Sequence, residues 1–151
     1  MQYVSAYRLK DRWLLHPLRR TTAGLLVASE PFVSFPLTAE PEVLGVALVS
    51  ALEHSEGVVP HPTDWKSHAQ PRLAEAGVKS ERSFQVGSLL VSIERSPQSY
   101  RLEPTRNGGA KGSEKGFLPL AERGVNLPLT ASYELLGSAL KKAVLQCSQE
   151  T

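Results

Sequence analysis

A chain of 151 residues has room for one domain built around a single core, 1–151. Its 41% hydrophobic and 21% charged residues exclude a disordered chain, and its longest apolar run, Val43 to Leu52 with one Ser, is too short to span a bilayer. One cysteine, Cys147, excludes an internal disulfide, and the net charge of +2 hides an uneven distribution: no Lys or Arg falls between Arg20 and Lys66, an interval that holds Glu30, Glu40, Glu42, Glu53, Glu56 and Asp64.

Met1 to Lys10 carries no apolar leader, so a cytoplasmic location is expected. Tyr3 to Leu9 is rich in strand formers, Lys10-Asp11-Arg12 is a polar turn, and Trp13 to Pro17 returns, which predicts a β-hairpin. Leu25 to Ala28 and Phe32 to Phe35 read as third and fourth short strands, the latter ended by Pro36. A helix starts between Thr38 and Pro41, where a capping hydroxyl, a first-turn proline and the acids Glu40 and Glu42 agree. Val43, Leu44, Ala47, Leu48, Ala51 and Leu52 form its apolar stripe.

Prolines on both sides of His61 make the next segment extended, and Thr63 or Asp64 caps a helix running to about Ala76, bent or begun at Pro71 and ended by Gly77. Trp65, behind that cap, is expected to pack under its own helix. Phe84-Gln85-Val86 reads as the opening of a second extended region. Leu89 to Glu94, a turn at Ser96 to Ser99, and Tyr100 to Pro104 then make a second hairpin.

The chain also matches itself. Val33-Ser34-Phe35-Pro36-Leu37-Thr38-Ala39 and the following Glu42, Leu44, Gly45, Ala47 and Leu48 recur without a gap as Val125-Asn126-Leu127-Pro128-Leu129-Thr130-Ala131 with Glu134, Leu136, Gly137, Ala139 and Leu140. Two halves, about 3–55 and 84–147, each of β-β-β-α form, are joined by the connector 56–83. This predicts an α+β fold with a pseudo-twofold internal repeat, an antiparallel sheet, and helices on one face, each helix packed on its own sheet. Gly45 and Gly137 interrupt good helices at matched points, so close backbone approach, of helix to sheet, is expected there.

Chemistry-bearing patterns are absent. His16, His54, His61 and His68 have no metal-ligand spacing, and Ser138-Ala139-Leu140-Lys141 has the form S-x-x-K without the rest of such a site. The Gly-rich loop Asn107 to Gly116 has the wrong order for a phosphate loop and reads as a mobile insertion. Arg19 and Arg106, matched across the halves, suit hydrogen bonds to a strand end or a carboxylate. No catalytic residue, cofactor or metal is predicted, and the chain reads as a binding protein rather than an enzyme.

Several motifs together carry a resemblance. Tyr3-Val4-x-Ala6-Tyr7, Trp13-x-x-x-Pro17, Thr21-Thr22-Ala23-Gly24, Ala28-Ser29-Glu30-Pro31, His61-Pro62-Thr63-Asp64-Trp65, Ala76-Gly77-Val78-Lys79-Ser80, Pro104-Thr105-Arg106-Asn107 and Gly116-Phe117 occur in that order. The sequence resembles immunity proteins of bacterial contact-dependent growth inhibition systems. The resemblance implies a small cytosolic protein that binds and neutralises the C-terminal toxin domain, often a nuclease, of a delivered effector. An acidic patch suits that role by steering a cationic toxin. The candidate partner-binding residues are Glu40, Glu53, Glu56, His61, Asp64 and Lys66, with Lys111 and Lys115 of the basic loop. The alternative is a nucleic-acid-binding module, which needs Arg8, Arg12, Arg19, Arg20 and Arg106 on one face. A hydrolase would need convergent titratable groups that the sequence does not assemble.

Overall fold

Residues 1–149 are described by the computed structural model, an α+β molecule of one strongly curled ten-stranded sheet and four α-helices. Strand β1 (Gln2–Arg8) lies at its centre, antiparallel to β2 (Arg12–Thr21) on one side and, across the long gap in sequence, to β6 (Leu89–Arg95) on the other. Val4, Ala6, Trp13, Leu15, Val91 and Ile93 point to one face, while Tyr7, Leu9, Leu14 and Leu90 point to the other. Strands with both faces apolar need covering on both, since successive side chains alternate.

The helices meet that need from two directions. Helices α1 (Pro41–Glu53) and α4 (Tyr133–Leu145) cover the first face with Leu44, Leu48, Leu52, Leu136, Leu140 and Val144. The connector covers the second: α2 (Trp65–Ala76) contributes Leu73 and Ala76, and α3 (Glu81–Gln85) contributes Phe84. Placing helices on one face only is therefore corrected. The continuous run Trp13-Leu14-Leu15 is what demands a second layer. Phe84 and Gln85 are likewise helical rather than extended, because Ser80 accepts from the amide of Ser83 and starts a turn.

Both hairpin strands run past their prolines. Opposite its outer edge, β2 meets β4 (Val33–Pro36) along Arg12 to Leu15 and β3 (Leu26–Ala28) along Leu18 to Arg20. Pro17 sits at the break between them, where its missing N–H leaves no ladder bond unmade and its carbonyl accepts from Ser29. Strand β7 (Ser99–Asn107) is arranged alike, meeting β9 (Val125–Pro128) and then β8 (Phe117–Pro119), with Pro104 accepting from Leu120 between them. Two short strands, β5 (Val58–Val59) and β10 (Ser148–Gln149), add in parallel to β2 and β7.

Helix α1 begins differently from the sequence-based expectation. Its N-cap is Glu40, with no side-chain cap bond, whereas Ser132 caps α4 through the amide of Leu135. Its buried stripe is rotated from the expected one: Gly45 is inside and Val43 outside. The reason is the partner. A Cβ on Gly45 would lie 1.9 Å from the carbonyl oxygen of Tyr133, and one on Gly137 would lie 1.7 Å from that of Pro41. The close approach is helix to helix, not helix to sheet.

Candidate functional site

The candidate partner residues fall into separate groups. Glu40 opens α1 and Glu53 closes it, about 20 Å apart at 1.5 Å per helical residue. Glu56 accepts a 2.7 Å bond from Gln2 Nε2 at the start of the central strand. His61, Asp64 and Lys66 lie beyond β5, which pairs with the end of β2 at Arg20 and Thr21. Lys111 and Lys115 are exposed on a loop closed at its neck by the amide of Gly108 donating to Gly116 and that of Gly116 donating to Gly109. Since Gln2 opposes Arg95 and Arg8 opposes Leu89, Glu56 and that loop sit at opposite ends of β1. Glu56 and the loop lysines therefore do not form one patch.

Two of these residues have local duties. Asp64 caps α2, accepting from the amides of Lys66 and Ser67, and the Ser67 hydroxyl at 2.7 Å is the first cause holding its carboxyl below the usual range. The Thr21 hydroxyl accepts from the amides of Ala23 and Leu25, leaving its proton for His61 Nδ1 at 2.9 Å. Trp65 is 49% exposed and edge-on to both His61 and His68, with ring centroids 5.5 and 5.8 Å away. Packing under its own helix is thus corrected: α2 buries Leu73 and Ala76, and Trp65 stands at the mouth of a groove against β3.

The arginines do not assemble a nucleic-acid face. Arg12 pairs with Asp11 and reaches the Glu75 carbonyl at the β1–β2 turn, while Arg19 and Arg20, at the far end of β2, bind the carbonyls of His54 and Gly24. Arg106, on β7, binds Glu114 of the loop that follows. For Arg106 this is the expected bond to a carboxylate, whereas Arg19 binds a helix-end carbonyl rather than a strand end. Lys141 of the S-x-x-K segment donates to the Ala39 carbonyl at 2.7 Å, tying α4 to the start of α1. Among the described residues, no group of three His, Cys, Asp or Glu side chains converges as for a metal, and no helix is long and apolar enough to cross a membrane.

One surface near the acids is apolar. Between the outer side of α1 and β4 runs a groove of about 640 Å³, lined by Val33, Phe35, Val43 and Val46 and edged by Glu40 and Glu42. The sequence pattern places Val43 in the core, and neither Val46 nor Glu42 is among the partner-binding candidates it yields. The matched residue for Val46, Ser138, marks the position as one where apolar character is not required for packing.

Residues 2–147 match the CdiI family, described as CDI immunity protein. The chain belongs to that family. No curated protein matches the sequence. Among solved structures, a protein of unknown function from Neisseria meningitidis superposes with a TM-score of 0.71 at 16% identity, over 97% of this chain and 94% of that one. A CdiA-CT/CdiI toxin and immunity complex from Yersinia pseudotuberculosis matches with a TM-score of 0.75 at 15% identity, over 97% of each chain. At such identities the likeness is one of fold. The CdiI-like motifs sit at latches. His61 fastens to Thr21, Asp64 starts α2, and Thr105 donates to the Leu90 carbonyl. Asn107 is buried with all four of its polar sites used: its amide donates to Gln85 and Ser88 carbonyls, and its oxygen accepts from Gly109 and Gln85.

Proposed function

We propose that this chain is the immunity partner of a contact-dependent growth inhibition toxin, binding its C-terminal domain by protein–protein contact and neutralising it without turnover, in the cytoplasm of the protected cell. The observation that carries this reading is the family match across residues 2–147. The exposed, unshared acids are in keeping with it, because a cationic target is met fastest by a negative surface. A nuclease is the toxin activity that suits such a surface, since phosphate-binding enzymes carry cationic clefts.

Glu40, Glu53, Glu56, His61, Asp64 and Lys66 remain the first residues to test for contact, with Lys111 and Lys115 as the basic counterpart. The direct experiment is co-expression with the toxin domain encoded in the neighbouring reading frame. Protection of the cells and co-purification of the two chains are expected; no complex by sedimentation would defeat the reading. Joint reversal of Glu40, Glu53 and Glu56 to Lys is expected to slow association at low salt, and an unchanged rate would eliminate these acids as the steering surface.

The two halves of this chain are read as copies of one unit. Supporting this are the repeated order β-β-β-β-α, the pairing of β1 with β6 about Ser5 and Ser92, and the reciprocal helix contacts of Gly45 with Tyr133 and Gly137 with Pro41. The scaffold is then common to both halves, and specificity belongs to the positions where they differ.

A further inference from the structure

Helix α1 has an outer side as well as the inner one it presses on α4. Val43 and Val46 stand 44% and 46% exposed there, and the facing wall of the groove is Val33 and Phe35 of β4 with Pro31 before it. An apolar cleft of this kind on a soluble protein marks a place that something covers. Charge narrows what that is. Glu40 and Glu42 edge the cleft, neither takes part in an ion pair among the described residues, and no Lys or Arg lines it. On α4 the positions matched to Val46 and Ser50 are Ser138 and Lys142, so the two helices differ where the cleft lies. Leu135, matched to Val43, is 45% exposed, which makes it a control rather than a competitor.

We infer that the α1–β4 groove is the docking site for the toxin domain, taking a segment whose apolar side chains enter between Val46 and Phe35 and whose Lys or Arg side chains meet Glu40 and Glu42. This rests on the immunity reading above and adds to it the place and the chemistry of the contact. It also separates Glu40 from Glu53 and Glu56, which lie toward the far end of α1 and contribute only long-range attraction.

The test is titration of the full chain with the toxin domain encoded beside it, by calorimetry and by association kinetics at two salt concentrations. Val43 and Val46 face outward, so Val46→Lys is expected to keep the wild-type thermal midpoint while weakening binding about a hundredfold or more, as for the centre of an interface. Glu40→Gln with Glu42→Gln is expected to slow association about tenfold at low salt and little at high salt. Leu135→Lys, and Trp65→Ala in the groove against β3, are expected to bind as wild type. Unchanged binding by Val46→Lys, or an equal loss with Leu135→Lys or Trp65→Ala, would overturn the groove assignment while leaving the immunity reading standing. So would a wild-type dimer that Val46→Lys splits, since the groove would then be filled by a second copy. A wild-type chain that binds no toxin overturns both.

Discussion

His16 shows how one buried side chain sets a condition for the whole. It lies 1% exposed between the rings of Tyr7 and Phe32, and its Nδ1–H donates to the carbonyl of Pro17. Its Nε2 has no partner, so the ring is held neutral: burial brings its pKa down to about 4, partly offset by the Pro17 bond and helped by the Arg72 charge. The unfolded imidazole takes a proton near pH 6.5 and the folded one does not, so the unfolded state binds more protons in between. Stability should therefore be unaffected above about pH 6.5 and fall as pH drops toward 4, by on the order of 3 kcal/mol in all. Urea unfolding across that range is expected to show this fall, and His16→Leu to flatten it. Asn107 is the second such residue. Replacing it by Leu strands the carbonyls of Gln85 and Ser88 and should cost roughly 2–4 kcal/mol by denaturant titration.

Among the elements, the crossing of α1 and α4 is the tightest join. Gly45→Ala and Gly137→Ala each place a methyl inside a backbone carbonyl of the other helix, and each is expected to cost about 2–3 kcal/mol despite the better helix propensity of Ala. A gain in stability in either variant would show the helices to be further apart. The sequence announced these glycines but not their partner, because a missing Cβ reports closeness without saying what is close. The hairpins were legible for the reason alternation usually is: Tyr100, Leu102 and Pro104 face in while Arg101 and Glu103 face outward and pair with each other. The exposure of Trp65 is not legible in the sequence because a capping residue before an aromatic fixes where a helix starts, not how it is rotated. Rotation comes from Leu73 and Ala76, two turns later, meeting the sheet. Val43 lies outside for the same reason: the edge of the buried stripe is set by the other helix.

At the scale of the whole molecule, the groove of α1 and β4 was not legible, since its walls come from segments that read separately as a strand and a helix core face. What was legible was the asymmetry of charge, the interval without Lys or Arg, and the fold shows that interval to supply both walls of the groove, its acidic edge and the latch around His61. Among the described residues, the central strand pairing spans the greatest separation in sequence of any strand pairing: Gln2 opposes Arg95. Folding limited by such pairing is slow, and refolding from urea is expected to take milliseconds to seconds by stopped-flow fluorescence of Trp13.

The same pairing bears on how the chain is born. Strand β1 is translated well before β6, the strand that closes its second edge, which follows only after the whole connector. At roughly 5–20 residues per second, β1 waits on the order of 4–17 s with that edge open. On the immunity reading, a molecule still being translated gives no protection until β6 has followed. A cell relying on it must hold a finished stock before any toxin arrives.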